Sequence, residues 1–248
     1  MMPQEDSSDG TPLTSIVIPA HNEETVIAES LQELKTWMGS RSGGPWEVVV
    51  VDDGSTDGTF EQLRQKKAGL PELVIVRLDA NHGQTAALDA GFKAARGRAI
   101  VTMDADMQND PRDIPRLLEH LENWDVVCGV RQTRQDSLVR RISSRIANWV
   151  RNRLTHEEIR DVGCTLRAMK AECLAGLKLY DGMHRFLPTL LKLDGWSVTE
   201  VPVSHRPRTK GRTHYGIRNR LFRGLRDCLA VRWMQSRWLR YGIEERIE

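Results

Sequence analysis

Asp104 and Asp106 stand one residue apart in Val101-Thr102-Met103-Asp104-Ala105-Asp106-Met107-Gln108. They follow Ala99-Ile100-Val101-Thr102-Met103, a largely β-branched apolar run that predicts a buried strand. Residues i and i+2 of a strand share a face, so both carboxylates can point into one crevice at the strand's carboxyl end. Open α/β sheets bind their ligands in that crevice. Two bare carboxylates so close repel and resist ionisation. A divalent cation removes the conflict, and hard oxygen ligands suit Mg²⁺ or Mn²⁺. Gln108 adds a neutral oxygen two residues on. The competing reading is a solvated acidic turn ahead of the helix that Pro111 introduces, and spacing alone does not separate the two.

The elements that must position these residues follow in chain order. Residues 13–18 (L-T-S-I-V-I) predict a first strand ending at Pro19-Ala20-His21-Asn22-Glu23-Glu24. Asn22 is a candidate N-cap for a helix reaching about Trp37, with Val26, Ile27, Leu31, Leu34 and Met38 at helical spacing. Residues 46–51 (W-E-V-V-V-V) predict a strand buried on both faces, running into Asp52-Asp53-Gly54-Ser55-Thr56-Asp57-Gly58. A helix to about Lys67, a strand at 73–78 and an Ala-rich helix at 83–96 come before the Asp104 strand. A helix at 113–121 and a strand at 124–130 come after it. This alternation predicts α/β architecture, a mostly parallel sheet with helices on both faces. Beyond Arg131 the pattern changes: a basic helix at 136–154, a strand or loop at 161–169 returning to the sheet, helices at 171–178 and 185–193, a strand at 196–203, a basic loop at 204–214 and a last helix or helix pair at 215–241. In such a sheet three polar clusters, Asn22-Glu23, Asp52-Asp53 and Asp104-x-Asp106, converge on one edge. Gly54 and Gly58 do not form the G-x-G-x-x-G of a dinucleotide fold, which argues against a dehydrogenase.

Composition bounds the rest. The chain has 248 residues, 40% of them apolar and 28% charged, with a net charge of +2. That supports a core and makes the whole chain no general polyanion binder, so no nucleic-acid partner is expected. The charge is uneven: eleven Lys or Arg and one acid, Asp227, lie between His205 and Tyr241. The four cysteines, Cys128, Cys164, Cys173 and Cys228, form no C-x-x-C pair and read as reduced, buried thiols rather than a zinc site. Residues 1–12 are polar and read as a disordered tail rather than a signal peptide. No apolar run approaches the roughly 18 residues that span a bilayer.

Here the motifs bear a likeness to a known family. P-A-H-N-E after the first strand, V-D-D-G-S-T-D after the second and D-A-D-M-Q after the fourth resemble family 2 glycosyltransferases of the GT-A fold. Gly129-Val130-Arg131, Asp161-Val162-Gly163-Cys164, His184-Arg185-Phe186-Leu187-Pro188 and Arg208-x-x-Gly211-x-Thr213-x-Tyr215 resemble its polyprenyl-phosphate branch, which includes dolichyl-phosphate mannose synthase. Where the branch often has Ser-Lys, this chain has Thr213-His214. The likeness covers about residues 13–235 and implies a GT-A domain at 13–214 followed by an amphipathic helical segment at 215–248.

The resemblance also implies roles. Pro19, Ala20, Asn22, Glu23 and Asp53 would hold the nucleoside, with Asp104 at the ribose and sugar diphosphate. Asp106 and Gln108 would ligate Mg²⁺ or Mn²⁺ beside Asp104. Arg131 would contact phosphate, making Asp104, Asp106 and Arg131 the catalytic candidates. Arg208 and Lys210 would close over the phosphates, and Arg140 and Ser144 would meet the acceptor's phosphate. The expected protein is a metal-dependent inverting transferase. It moves a sugar from a nucleotide-sugar donor to a polyprenyl phosphate, peripherally bound at the cytoplasmic face of the membrane. A phosphate acceptor is already ionised at pH 7, which fits the lack of an evident general base beside D-A-D-M-Q. The alternatives are a soluble transferase acting on a saccharide hydroxyl, a sugar-1-phosphate nucleotidyltransferase (whose Gly-rich loop is missing), and a non-catalytic nucleotide-sugar-binding scaffold at the membrane.

Overall fold

Runs of β-branched residues that are apolar on both faces can only be stable inside a sheet covered on both sides, and this chain builds such a sheet. The computed structural model describes residues 13–39, 44–132, 149, 151–155, 159–207, 217–239 and 245, with only the backbone of 217–223. The strands are β1 (Thr14–Ala20), β2 (Trp46–Asp52), β3 (Leu73–Arg77), β4 (Ala99–Thr102), β5 (Val126–Arg131), β6 (Arg167–Lys170) and β7 (Val198–Val203). The helices are α1 (Ile27–Gly39), α2 (Thr59–Lys67), α3 (Gln84–Ala94), α4 (Ile114–His120), α5 (Leu187–Leu193) and α6 (Ile217–Arg237). The sheet order is β3-β2-β1-β4-β6-β5-β7. Only β6 runs against its neighbours, pairing antiparallel with both β4 and β5. The expected mostly parallel sheet with helices is what the chain forms.

Alternation along the strands divides the core in two. Ile16, Ile18, Val48 and Val50 pack against Ile27, Leu31 and Leu34 of α1, Leu63 of α2, and Ile114 and Leu117 of α4. Val17, Val49 and Val51 face the other way, onto Ala87 and Leu88 of α3 and Leu187 and Leu191 of α5. A side chain at Gly91 would run into Val17, so the glycine lets α3 lie close against β1. Fully burying a Val or Ile contributes about 1.5–3 kcal/mol, so these strands fix the sheet and the loops at their carboxyl ends are free to carry chemistry.

Two local expectations change. Asn22 does not cap α1, which begins at Ile27. It takes the left-handed backbone at φ 57° and ties two loops together. Its main-chain N–H donates to Ser55 Oγ (3.0 Å), and its Oδ1 accepts from the Thr56 N–H (2.9 Å). The helix expected at 171–178 is a 3₁₀ turn at Ala171–Leu174. Most of the basic helix expected at 136–154, and the tail at 1–12, lie outside the described residues; 151–155 are helical.

α6 docks through one face. Cys228 and Val231, with Ala230 and Met234 alongside, pack on Met183, Phe186 and Leu190. Arg185 donates to Asp227 at 2.6 Å, and Gln235 donates to the Thr155 carbonyl at 2.6 Å.

A buried carboxylate joins the amino ends of the central strands. Glu47, on β2, accepts from Ser15 Oγ (2.6 Å) and from the main chain (2.7 Å) and side chain (2.7 and 3.0 Å) of Arg96. Burial alone raises its pKa, but the bonds from Ser15 and Arg96 outweigh it and hold the carboxyl below its usual value of 4.5. A group with a lowered folded pKa stabilises the fold above the unfolded value and loses that contribution as pH falls through the folded one. Glu47→Gln is therefore expected to lower unfolding free energy by about 1–3 kcal/mol at pH 7. Denaturant titration should show the gap between the two proteins narrowing below about pH 4.5.

Candidate active site on the carboxyl edge of the sheet

The carboxyl ends of β1, β2 and β4 lie side by side, because β1 pairs in parallel with both β2 and β4. The β1 loop (Pro19 to Glu24) and the β2 loop (Asp52 to Gly58) are stitched to each other. Glu23 N–H donates to Thr59 Oγ1 (2.8 Å), Glu24 N–H to Asp57 (3.2 Å), and Gly58 N–H to Glu24 (3.0 Å). His21 Nδ1 donates to the Asp53 carbonyl at 2.8 Å. Asp57 also accepts from the N–H of Thr59, the first residue of α2, at 3.0 Å. Gly54, at φ +62°, sits where a side chain would strike the backbone of Ala80 and Asn81, which brings the 79–83 loop against the β2 loop. His21, Gly54, Ser55, Thr56, Arg77 and Asn81 line a shallow open depression there.

The two aspartates ending β2 have different partners. Asp52, fully buried, accepts from the Ser55 N–H (3.1 Å) and pairs with Arg77 at 3.3 Å. Arg77 in turn lies over the Phe60 ring, 4.1 Å from its centroid. Asp53 reaches across to the start of α3: its two oxygens accept from the backbone N–H groups of His82 (2.8 Å) and Gly83 (2.9 Å).

α3 then presents Gln84 to Asp104. The Gln84 amide donates to one oxygen of Asp104 (3.2 Å), and Thr165, just before β6, donates to the other (2.7 Å). Thr165 is itself held, its carbonyl accepting from Thr102 on β4 at 2.6 Å. The next residue on α3, Thr85, bonds His184 Nδ1 (2.7 Å) and accepts from the Gly182 N–H (3.0 Å). Burial, with help from Arg185 and Arg167, pushes the His184 pKa down to about 3, so His184 is neutral.

The D-A-D-M-Q turn is tight. Asp104 N–H donates to Asn109 Oδ1 (3.0 Å), Gln108 N–H donates to Asp106 (3.1 Å), and Met107 is left-handed at φ 61°. Asp106 is buried and Asp104 and Gln108 are half-buried. The strand that precedes them is the predicted one, and Asp104 is linked through Gln84 to the segment that Asp53 holds. The turn also meets the segment after β7: Asn109 bridges His205, and Arg206 N–H donates to the Gln108 carbonyl at 3.0 Å. The Gln108 amide nitrogen lies 3.4 Å from both His205 Nε2 and the Arg206 carbonyl.

Arg131, expected at a phosphate, has its guanidinium on Asp161, with bonds of 2.7 and 2.8 Å. Arg140, Ser144, Arg208 and Lys210 lie outside the described residues. Sequence reasoning passed over Gln84, Thr165, His205 and Arg206, because nothing local links them to the carboxylates. His205-Arg206, ahead of Arg208 in the basic loop, was the available signal.

Such a sheet, parallel but for one strand and carrying a D-x-D turn in its crevice, defines the GT-A architecture. The chain belongs to glycosyltransferase family 2, described as "Glycosyl transferase family 2" and matched over residues 15–179. It is 40% identical over 224 residues to a dodecaprenyl-phosphate galacturonate synthase of Rhizobium johnstonii, covering 88% of this chain and 65% of that protein. It is 38% identical over 206 residues to an undecaprenyl-phosphate 4-deoxy-4-formamido-L-arabinose transferase of Edwardsiella ictaluri, covering 82% of this chain and 63% of that protein. The chain thus spans just under two thirds of the length of these relatives. Its fold matches glucosyl-3-phosphoglycerate synthase of Mycobacterium tuberculosis at 20% identity, in a complex of that protein with Mn²⁺, UDP and glucosyl-3-phosphoglycerate (TM-score 0.67) and in one with Mg²⁺ and UDP (TM-score 0.68). Each match covers 94% of this chain and 82% of the other.

The Asp53 contacts make a prediction. Asp53→Asn keeps the size but turns an NH₂ toward one of two backbone donors. Unfolding free energy should fall by about 1–3 kcal/mol, and amide exchange at His82 and Gly83 should quicken. Unchanged exchange at both amides would show that the bonds do not hold the loop.

Proposed function

We propose that this chain transfers a sugar from a nucleotide donor, GDP-mannose or a UDP-sugar, to a polyprenyl phosphate, with inversion at the anomeric carbon. The relatives named above for polyprenyl-phosphate chemistry support the acceptor class. The 40% and 38% identity to those relatives carries the reading. A phosphate monoester arrives already ionised, so such an acceptor needs no general base to take a proton.

In this reading Pro19, Ala20, Asn22, Glu23 and Asp53 form the nucleoside side of the site, next to the depression beside the β2 loop. Asp104 is oriented toward the ribose and sugar by Gln84 and Thr165. Asp106 and Gln108, with Asp104 beside them, are hard oxygen donors that fit Mg²⁺ or Mn²⁺, which when bound supplies Lewis-acid neutralisation of the departing diphosphate. Among the described residues no three His, Cys, Asp or Glu side chains are grouped to hold a metal ion, and the proposed set is two carboxylates with the Gln108 amide. Arg131, fixed by Asp161, is a preset cation for phosphate, and Arg208 and Lys210 add charge from the loop beyond β7. Arg140 and Ser144 are assigned to the acceptor's phosphate.

The membrane face of the proposal draws on α6. Leu225, Leu229 and Trp233 stand at i, i+4 and i+8 and are 47%, 53% and 64% exposed, on the side away from Cys228 and Val231. Arg226, Arg232 and Arg237 flank them and are exposed too. Among the described residues no helix is long and apolar enough to cross a membrane. An apolar stripe edged with arginine suits the plane of an anionic interface instead, placed here at the cytoplasmic face.

Three outcomes are expected. With labelled nucleotide sugars and polyprenyl phosphate, label should enter the organic phase, chelation should abolish transfer, and Mg²⁺ or Mn²⁺ should restore it. Asp106→Ala should lower turnover far more than Asp57→Ala, whose carboxylate accepts from the Glu24 and Thr59 amides; equal losses would sink the assignment of the turn. Replacing Leu225, Leu229 and Trp233 with Gln should weaken co-sedimentation with anionic vesicles while leaving the fold's circular dichroism unchanged. Undiminished sedimentation would remove α6 from the membrane contact.

A further inference from the structure

We propose that Arg206 is a positioning residue that sets the D-A-D-M-Q turn for its ligands from outside the motif. The inference rests on reading that turn as the metal and diphosphate site.

The turn contains a conformation that its own sequence does not favour. Met107 is left-handed at φ 61°, a conformation that a residue with a side chain keeps only where its surroundings hold it. Within the motif, Asn109 and Asp106 accept from the Asp104 and Gln108 amides. The clamp on the far half comes from Arg206. Its N–H donates to the Gln108 carbonyl at 3.0 Å, and its own carbonyl faces the Gln108 amide nitrogen at 3.4 Å. One residue thus holds Gln108 by main chain and side chain together. The contact turns the Gln108 nitrogen toward Arg206, leaving the amide oxygen to face elsewhere.

Main-chain contacts of this kind fix geometry only if Arg206 itself is fixed. Its guanidinium does this by joining two carboxylates from different elements. It bonds Glu33 on α1 at 2.7 and 2.8 Å, and Asp110, directly after the turn, at 2.9 Å. Arg206 is mostly shielded and Asp110 almost wholly so, so these pairs are screened less than surface ones. Arg112 also bonds Asp110, but from an exposed position. A planar fork is what lets one side chain span both carboxylates; a lysine ammonium lacks it.

The test measures Mn²⁺ affinity by calorimetry in the presence of UDP and, separately, GDP, with thermal unfolding and hydrogen exchange at the Gln108 and Arg206 amides alongside. Wild-type protein is expected to bind Mn²⁺ with one of the two nucleotides. Arg206→Gln should weaken that binding about tenfold or more, the range expected for residues that orient metal ligands, and should speed exchange at Gln108. Arg206→Lys should recover part of the affinity. If wild type binds Mn²⁺ with neither nucleotide, the reading of the turn falls and this inference with it. If wild type binds and Arg206→Gln binds equally well, even with a lowered melting temperature, Arg206 is a structural tie only and the inference alone is overturned. Should Arg206→Gln not fold, Glu33→Gln removes one arm of the anchor; it should weaken Mn²⁺ binding in the same direction by a smaller factor, and an unchanged affinity would overturn the proposal.

Discussion

The buried carboxylate of Asp53 points along the sheet edge rather than out of it, and its grip on the His82 and Gly83 amides determines where α3 begins. The two amides lie just ahead of the first residue of α3, Gln84, where a carboxylate also meets the partial positive charge of a helix start. Once α3 is seated, its first two residues reach in different directions. Gln84 takes one oxygen of Asp104, and Thr85 takes His184 and the Gly182 amide. The segment after Gly182 carries Arg185, whose bond to Asp227 docks α6. A single polar contact at the end of β2 is therefore linked, through bonds each under 3.3 Å, to the D-x-D turn on one side and the last helix on the other.

The reversed strand has a comparable part. Placing β6 antiparallel between β4 and β5 brings the chain ahead of it to the same edge where the parallel strands end. Thr165 reaches Asp104 and Asp161 reaches Arg131 because of that reversal. A parallel strand at this position would deliver its trailing loop to the edge instead, and the 161–166 segment would lie at the other end of the sheet.

Much of the architecture was legible in the sequence, for physical reasons that mark its boundary. β1, β2 and β4 are β-branched and apolar on both faces, a pattern only a covered sheet tolerates, and their polar ends announced the edge. The D-x-D turn was readable because its chemistry is local. Asn22 was misread as a cap because a short amide serves equally well as a loop tie; its actual partners lie about thirty-three residues away. The 171–178 segment has helical spacing, yet tertiary packing leaves it a single 3₁₀ turn. Gln84 and Thr165 were invisible as site residues because each meets Asp104 only through the topology. Arg131 was visible as a cation, but not its pairing with Asp161, thirty residues on.

The last helix shows how packing resolves what periodicity leaves open. Ile217, Leu221, Phe222, Leu225, Leu229 and Trp233 suit either a seat on the domain or an exposed stripe, since the helical period is the same for both. The domain takes Asp227, Cys228, Val231 and Met234, centred on the opposite side of the helix. Single exposed apolar residues are ordinary on any protein surface and would need no account. Leu225, Leu229 and Trp233 differ because they are aligned turn upon turn and flanked by Arg226, Arg232 and Arg237. An aligned stripe lowers its free energy by entering an apolar phase as one surface, and the arginines can keep their charges at its edge while their stems follow it in. The polar anchor at Asp227 faces the domain, so the helix can present that stripe without giving up the contacts that hold it in place.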